Sequence, residues 1–149
     1  MSSTSTASSE ILGVTDVDKA LKRIAHEIVE RNLDLSDVVI VGMQTGGTWI
    51  AARLHENIAQ ISPSVSVPLG AVDISMYRDD FSLRPLVLSA PTDIPVDLTG
   101  RTVVLVDDVL FTGRTVRAAL EALNDHGRPR AVQLAVMVDR GHRELPLRP

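Results

Sequence analysis

The sequence predicts an α/β fold, a mainly parallel central sheet flanked by helices. Three observations carry this. Residues 38–41, 102–106 and 132–138 are short apolar runs rich in valine, the pattern of strands buried on both faces. The stretches between them hold apolar residues at helical spacing. Strands and helices alternate along the chain, the order that lays helices over both faces of a parallel sheet.

Taken in order, Thr15 and Asp18 offer a capping box. Behind it Val17, Leu21, Ile24, Ala25 and Ile28 recur at helical spacing as far as Asn32. The opposite face of this helix carries Lys19, Lys22, Arg23, His26 and Glu30. The strand at 38–41 is closed by Gly42, and a glycine-containing loop follows over 43–48. A second helix is expected over 49–60, with Ile50, Leu54 and Ile58 on one side. A strand is expected over 65–75, interrupted by Pro68 and Gly70. Residues 77–98 have three prolines and no period, and connections of this length are often lids. The strand at 102–106 runs into Asp107 and Asp108. The next helix carries Val116, Ala119, Leu120 and Leu123 and is stopped by Gly127 and Pro129. A last strand covers 132–138. The first ten residues are polar and are expected to form a disordered tail before one domain over 11–149.

The 149 residues suit a single domain, and 44% hydrophobic content is enough for a packed core. There is no cysteine, which excludes disulfides, thiolate metal sites and a cysteine nucleophile. No apolar run approaches the length of a membrane span. The tail lacks the basic start and apolar stretch of a secretory signal, so the expected location is cytoplasmic, with no membrane partner. Net charge is −4, unevenly spread: from Leu110 onward seven arginines face Glu121, Asp125, Asp139 and Glu144. Arginine's planar fork matches phosphate oxygens, but on charge alone a solvated surface is the better explanation of these residues.

The chemistry concentrates in VVLVDDVLFTGRT, residues 103–115. Ligands of open parallel sheets sit beyond the carboxyl ends of the strands, where Asp107 and Asp108 are expected. The turn Thr112-Gly113-Arg114-Thr115 leads into a helix whose first N–H groups attract an anion, and the glycine permits close approach. A phosphate at the helix start and sugar hydroxyls on the carboxylates would make a sugar phosphate the fitting ligand. A lone Asp-Asp pair more often ends a strand and caps the next helix. The ordered combination of apolar strand, paired acids and T-G-R-T is far more specific. Neither G-x-x-x-x-G-K-[ST] nor G-x-G-x-x-G occurs.

This segment resembles the 5-phosphoribosyl-1-pyrophosphate (PRPP) motif of the type I phosphoribosyltransferases. KRIAHEIVERN (22–32), DISMYRDDFS (73–82), DIPVDLTGR (93–101), GRP (127–129) and LAVMVDRGHRELPLR (134–148) are similar to the family of bifunctional pyrimidine operon regulators and uracil phosphoribosyltransferases. The resemblance implies the type I phosphoribosyltransferase fold, a homo-oligomer, and conversion of uracil and PRPP to UMP and pyrophosphate. It implies that Asp107 and Asp108 hold the ribose hydroxyls and that Val109, Leu110, Phe111, Thr112, Gly113, Arg114 and Thr115 wrap the 5-phosphate. Thr45 and Gly46 would face the pyrophosphate, with Arg78 and Arg140 near the substrate. Mg²⁺ would arrive with PRPP rather than in a protein cage. UMP-dependent attenuation on the leader RNA of pyrimidine genes is implied as well, through Lys22, Arg23, His26, Arg31, Arg143 and Arg148. These side chains equally suit a solvated face.

Purine-type relatives place an acid where this chain has Phe111, so the motif assigns no general base. Two further features depart from the family. Gln44-Thr45-Gly46-Gly47 stands where the regulators have a basic Lys-Thr-Arg-Gly type loop, which should weaken pyrophosphate binding. The sequence stops at Pro149, before a segment that helps form the hood over the base. The expectation is a C-terminally truncated domain, whether as a fragment or a short form. Two other readings stay open: an RNA-binding nucleotide sensor without significant catalysis, and a paralogue that only binds PRPP.

Overall fold

The computed structural model describes residues 14–44, 46–74, 92–110 and 113–139. Four strands, β1 (Val38–Met43), β2 (Leu69–Val72), β3 (Thr102–Leu110) and β4 (Ala131–Asp139), form one parallel sheet in the order β2-β1-β3-β4. The helices are α1 (Val14–Arg31), α2 (Gly47–Ile61) and α3 (Gly113–Asn124), with a short 3₁₀ turn at Leu35–Asp37.

Strand alternation sorts the core into two layers. Val38, Ile40, Val104 and Val106 pack with Leu21, Ala25 and Ile28 of α1 and Ile50, Leu54 and Ile58 of α2. Val39, Val41, Val103 and Leu105 pack with Ala118, Ala119, Ala122 and Leu123 of α3. Successive side chains of a strand point to opposite faces, so a continuous valine run can serve both layers. Helices α1 and α2 are joined at the surface by Arg53 on Asp18, 2.7 Å apart. Both side chains are about half exposed, and such pairs contribute little.

The expected fold class is what forms, with four differences of boundary. The strand at 38–41 continues to Met43, and α2 starts at Gly47 instead of residue 49. The strand expected over 65–75 shrinks to Leu69–Val72. Pro68 has no N–H to give a ladder, although its carbonyl accepts from the Ile40 N–H at 3.0 Å. In the stretch expected as a lid, residues 75–91 lie outside the described residues, but Asp93 exchanges two backbone hydrogen bonds with Ala71 of β2 (2.8 and 2.9 Å). Its far end is thus tied to the sheet. Finally, β3 continues past the acids to Leu110.

Two motifs distant in sequence clasp each other at the amino end of β3. Leu98 N–H donates to the His126 carbonyl (2.9 Å), Gly100 N–H to Arg128 (3.0 Å) and Arg130 N–H to Arg101 (2.8 Å). Gly127 has φ 129°, a conformation open to glycine and strained for other residues. On the other flank Asn32 and Gln133 exchange amide hydrogen bonds of 3.1 and 3.2 Å, fastening the end of α1 to β4.

Candidate functional site

From β1 the chain passes through α2 to β2 on one side, and from β3 through α3 to β4 on the other. The strand order therefore reverses between β1 and β3. In open α/β sheets such a switch point opens a crevice outside the carboxyl ends of the strands, and ligands bind there. The turn carrying Gln44 and Gly46 into α2 and the end of β3 carrying Asp107 and Asp108 meet there.

The acids were expected beyond the end of their strand; they lie inside it. The ladder to β1 stops at Gly42↔Val106, whereas the ladder to β4 continues through Asp107↔Val136 to Leu110↔Asp139. The nine-residue β4 outlasts the six-residue β1, so β3 stays extended on one side and is released from the ladder on the other. Strand alternation puts position 108 on the face of α1 and α2 and position 107 on the face of α3.

Glycines set how closely α2 meets β3. A Cβ built on Gly47 would collide with the Val106 carbonyl and come within 3.0 Å of Asp107 Cα. One on Gly42 would lie 2.9 Å from Ala51 Cβ and from the Gly47 carbonyl. One on Gly46 would fall on the Asp108 carboxylate, 2.6 Å from its Cγ. The start of α2 is thereby pressed against the carboxyl end of β3. The Gln44 N–H donates to the Val72 carbonyl at 2.9 Å, which anchors this loop to β2 as well.

Half-burial, a hydrogen bond with the Asp108 side chain and that side chain's charge together push the Asp107 carboxyl up to about 7. The Asp108 N–H donating to Asp107 Oδ1 at 2.8 Å opposes the shift. Because the folded value lies above the ordinary aspartate value of about 3.9, the folded chain holds the proton more tightly, and stability falls as pH rises from about 4 to about 7. An asparagine at 107 mimics the protonated carboxyl. The stability of Asp107→Asn relative to wild type should therefore increase between pH 4 and pH 8 in urea titrations. A pH-independent difference would show that Asp107 does not titrate in this window.

The structure brings Gly46 against Asp108, with Asp107, Asp108, Val109 and Leu110 in β3 and Gly113, Arg114 and Thr115 in the first turn of α3. Thr45, Arg78, Phe111, Thr112, Arg140, Arg143 and Arg148 lie outside the described residues. Lys22, Arg23, His26 and Arg31 are exposed on α1; Val38–Met43 and Gly47–Ile61 separate that helix in sequence from the acids. Gly42 and Gly47 were not assigned to the site from the sequence. Their signal is glycine spacing around a strand–helix junction, whose meaning depends on what the absent side chains would meet.

A phosphoribosyl transferase domain model matches residues 8–148. The bifunctional protein PyrR of Streptomyces coelicolor is 58% identical over 139 residues, covering 93% of this chain and 72% of that protein. The chain belongs to the PyrR family of phosphoribosyltransferases. The PyrR protein of a Roseiflexus species is 54% identical over 140 residues, covering 93% and 76% of the two chains. Among solved structures, a purine phosphoribosyltransferase from Pyrococcus horikoshii superposes with a TM-score of 0.65 at 25% identity, over 90% of this chain and 80% of that one. A hypoxanthine-guanine-xanthine phosphoribosyltransferase gives 0.60 at 18% identity, over 89% and 70%, and shares the fold. Membership in the PyrR family agrees with the resemblance carried by the motifs at 22–32, 93–101 and 103–115.

Proposed function

We propose that this chain is a uracil phosphoribosyltransferase, converting uracil and PRPP to UMP and pyrophosphate, and that it also regulates pyrimidine genes by UMP-dependent attenuation on leader RNA. The observation that carries the enzymatic half is the meeting of the acid pair with the start of α2 at the switch point. Family membership supports both halves.

In this reading Asp107 and Asp108 accept hydrogen bonds from the ribose hydroxyls. The segment from Val109 to Thr115 wraps the 5-phosphate, whose charge suits the N–H groups opening α3. Thr45 and Gly46 face the pyrophosphate, and Arg78 and Arg140 lie near the substrate. No residue is assigned as general base; the chain acts by holding the reactants in register. The donor set fits Mg²⁺, since two carboxylates offer hard oxygens and magnesium takes one or two of them together with phosphate oxygens and water. The ion would arrive carried by PRPP, and it would supply charge that stabilises the leaving pyrophosphate. The test is uracil- and PRPP-dependent formation of UMP. One observation favours a nucleotide sensor without significant catalysis: the loop at Gln44, Gly46 and Gly47 carries no charge. PRPP binding with no UMP formed would select that reading.

For RNA, Lys22, Arg23 and His26 form an exposed stripe on α1, with Lys19 beside them and Arg31 at the helix end. Arg143 and Arg148 complete the proposed set. Aromatic content is 3%, so phosphate and 2′-hydroxyl contacts would dominate over stacking. Affinity for leader RNA should fall steeply with salt through counterion release, and UMP should strengthen it, because coupled ligands favour the same state. Filter binding should show Lys22→Ala with Arg23→Ala reducing the salt slope by about two. Equal binding of leader RNA and an unrelated hairpin, with no effect of UMP, would end the regulatory half.

A cytoplasmic location is part of this proposal. It is supported by the absence of cysteine and by the finding that no helix among the described residues is long and apolar enough to cross a membrane. A homo-oligomer is proposed as well, supported by Trp49 and Leu33, large apolar side chains 49% and 99% exposed.

A further inference from the structure

We propose that two copies of this chain pair about a two-fold axis at the cleft between the ends of α1 and α2, each copy inserting Leu33 into the cleft of the other. The inference rests on the homo-oligomer reading above, which it deepens by naming the surface, and it is independent of the sugar-phosphate site.

The cleft lies where α1 and α2 end, at the amino end of the sheet and opposite the acid pair. Its volume is about 650 Å³, and Val29, Leu35, Ile61 and Val65 line it with apolar surface while Glu30 and Asp34 add charge. Leu35 is buried in the core layer of α1 and α2, and Val29, Ile61 and Val65 pack against that layer. The floor of the cleft is thus an outward extension of the core. Leu33 borders the same cleft and is 99% exposed.

A single exposed apolar side chain is ordinary on a protein surface. Leu33 differs in how it is held. Asn32 before it donates from Nδ2 to the Ile28 carbonyl at 2.8 Å and exchanges amide hydrogen bonds with Gln133 of β4. Asp34 after it accepts from the N–H and the hydroxyl of Ser36, at 3.0 and 2.6 Å. The residues on both sides of Leu33 are fixed, so burying its side chain has little else to order.

A second copy is the occupant because the patch complements itself. An apolar knob and an apolar cleft lie side by side on it, and a two-fold pairing fills both clefts at once. The exposed charges agree. Arg31 ends α1 beside Glu30 and Asp34, and the same rotation turns Arg31 of each copy toward the acids of the other. This contact uses the Arg31 end of α1 and leaves Lys22, Arg23 and His26 on the open stripe.

Sedimentation velocity over a dilution series tests the pairing on the full chain. Leu33→Ser removes the knob, and Ser64→Arg fills the cleft from its exposed wall. Each variant alone should raise the dimer dissociation constant about a hundredfold or more, because two symmetry-related contacts are lost and burial of a leucine contributes about tenfold or more in each. The mixture of the two variants carries the decisive result. The Leu33→Ser copy keeps its cleft and the Ser64→Arg copy keeps its knob, so they should form a heterodimer about tenfold tighter than either variant's own dimer. Urea titrations at concentrations where wild type is monomeric should match wild type for both variants, since both side chains are exposed. A dimer unmoved by Leu33→Ser, or a mixture that forms no heterodimer, would overturn the proposal and leave a homo-oligomer built on another surface. A wild type that stays monomeric at its highest soluble concentration would overturn the homo-oligomer reading along with it. Neither result bears on Asp107 and Asp108.

Discussion

Replacing Asp107 and Asp108 together by asparagine should weaken PRPP binding by two orders of magnitude or more while the chain remains folded. A hydrogen bond to a charged partner contributes about 1.5–3 kcal/mol, and asparagine keeps the size of the side chain but is a poorer acceptor. Each lost charge then weakens binding by roughly 10- to 100-fold. The fold should tolerate the change, because both side chains lie at the open end of the sheet, where Asp107 Oδ1 accepts a hydrogen bond from the Asp108 N–H at 2.8 Å. An amide oxygen at 107 can still accept it. Removing the half-buried carboxyl that is pushed up to about 7 should even raise stability at neutral pH and above, where the carboxyl would otherwise be ionised at a cost. Calorimetry in the presence of Mg²⁺ checks the affinity and a urea titration checks the fold. Unchanged PRPP affinity would remove the sugar-phosphate reading of the 103–115 motif, whatever the family.

Gly47→Ala should be the most destabilising single methyl group that can be added near the site. Its Cβ would enter the backbone of β3, against the Val106 carbonyl and Asp107 Cα. Relief requires α2 to move away from the sheet. Helix α2 is the central element of one core layer, with Ile50, Leu54 and Ile58 each no more than 1% exposed. Forcing an extra group into a packed core costs about 1–3 kcal/mol, occasionally more, and a clash with backbone belongs at the upper end. For a chain of this size the melting temperature should fall by roughly 10 °C. PRPP affinity should fall as well, since the same movement separates the start of α2 from the acid pair. Calorimetric melting tests this directly. A melting temperature within 2 or 3 °C of wild type would show that the approach of α2 to β3 is looser than the glycine contacts imply.

The two glycines make a useful pair because they are adjacent and their expected effects diverge. At 47 an added methyl meets main chain, which cannot turn aside; at 46 it meets the end of the Asp108 side chain, which can. Nothing in the local sequence separates them, since both are glycines in Gln44-Thr45-Gly46-Gly47.

What the sequence by itself determined was local and periodic. The valine runs and helical spacing marked the strands and helices because burial of a face imposes a period on the chain. The 103–115 motif identified its strand, acids and helix start because those residues are contiguous and their order is specific. Boundaries failed where a neighbour decided them. β3 continues through Asp107 and Asp108 because β4 supplies a ladder as far as Asp139, while β2 starts only at Leu69 because Pro68 has no N–H to give. Only the tertiary structure decided the strand order, the clasp between residues 98–101 and 126–130, and the contact of Gly46 with Asp108. These are relations between segments tens of residues apart. They depend on which backbone lies beside which, and a glycine at a junction is silent until the atoms that fill the place of its missing side chain are known.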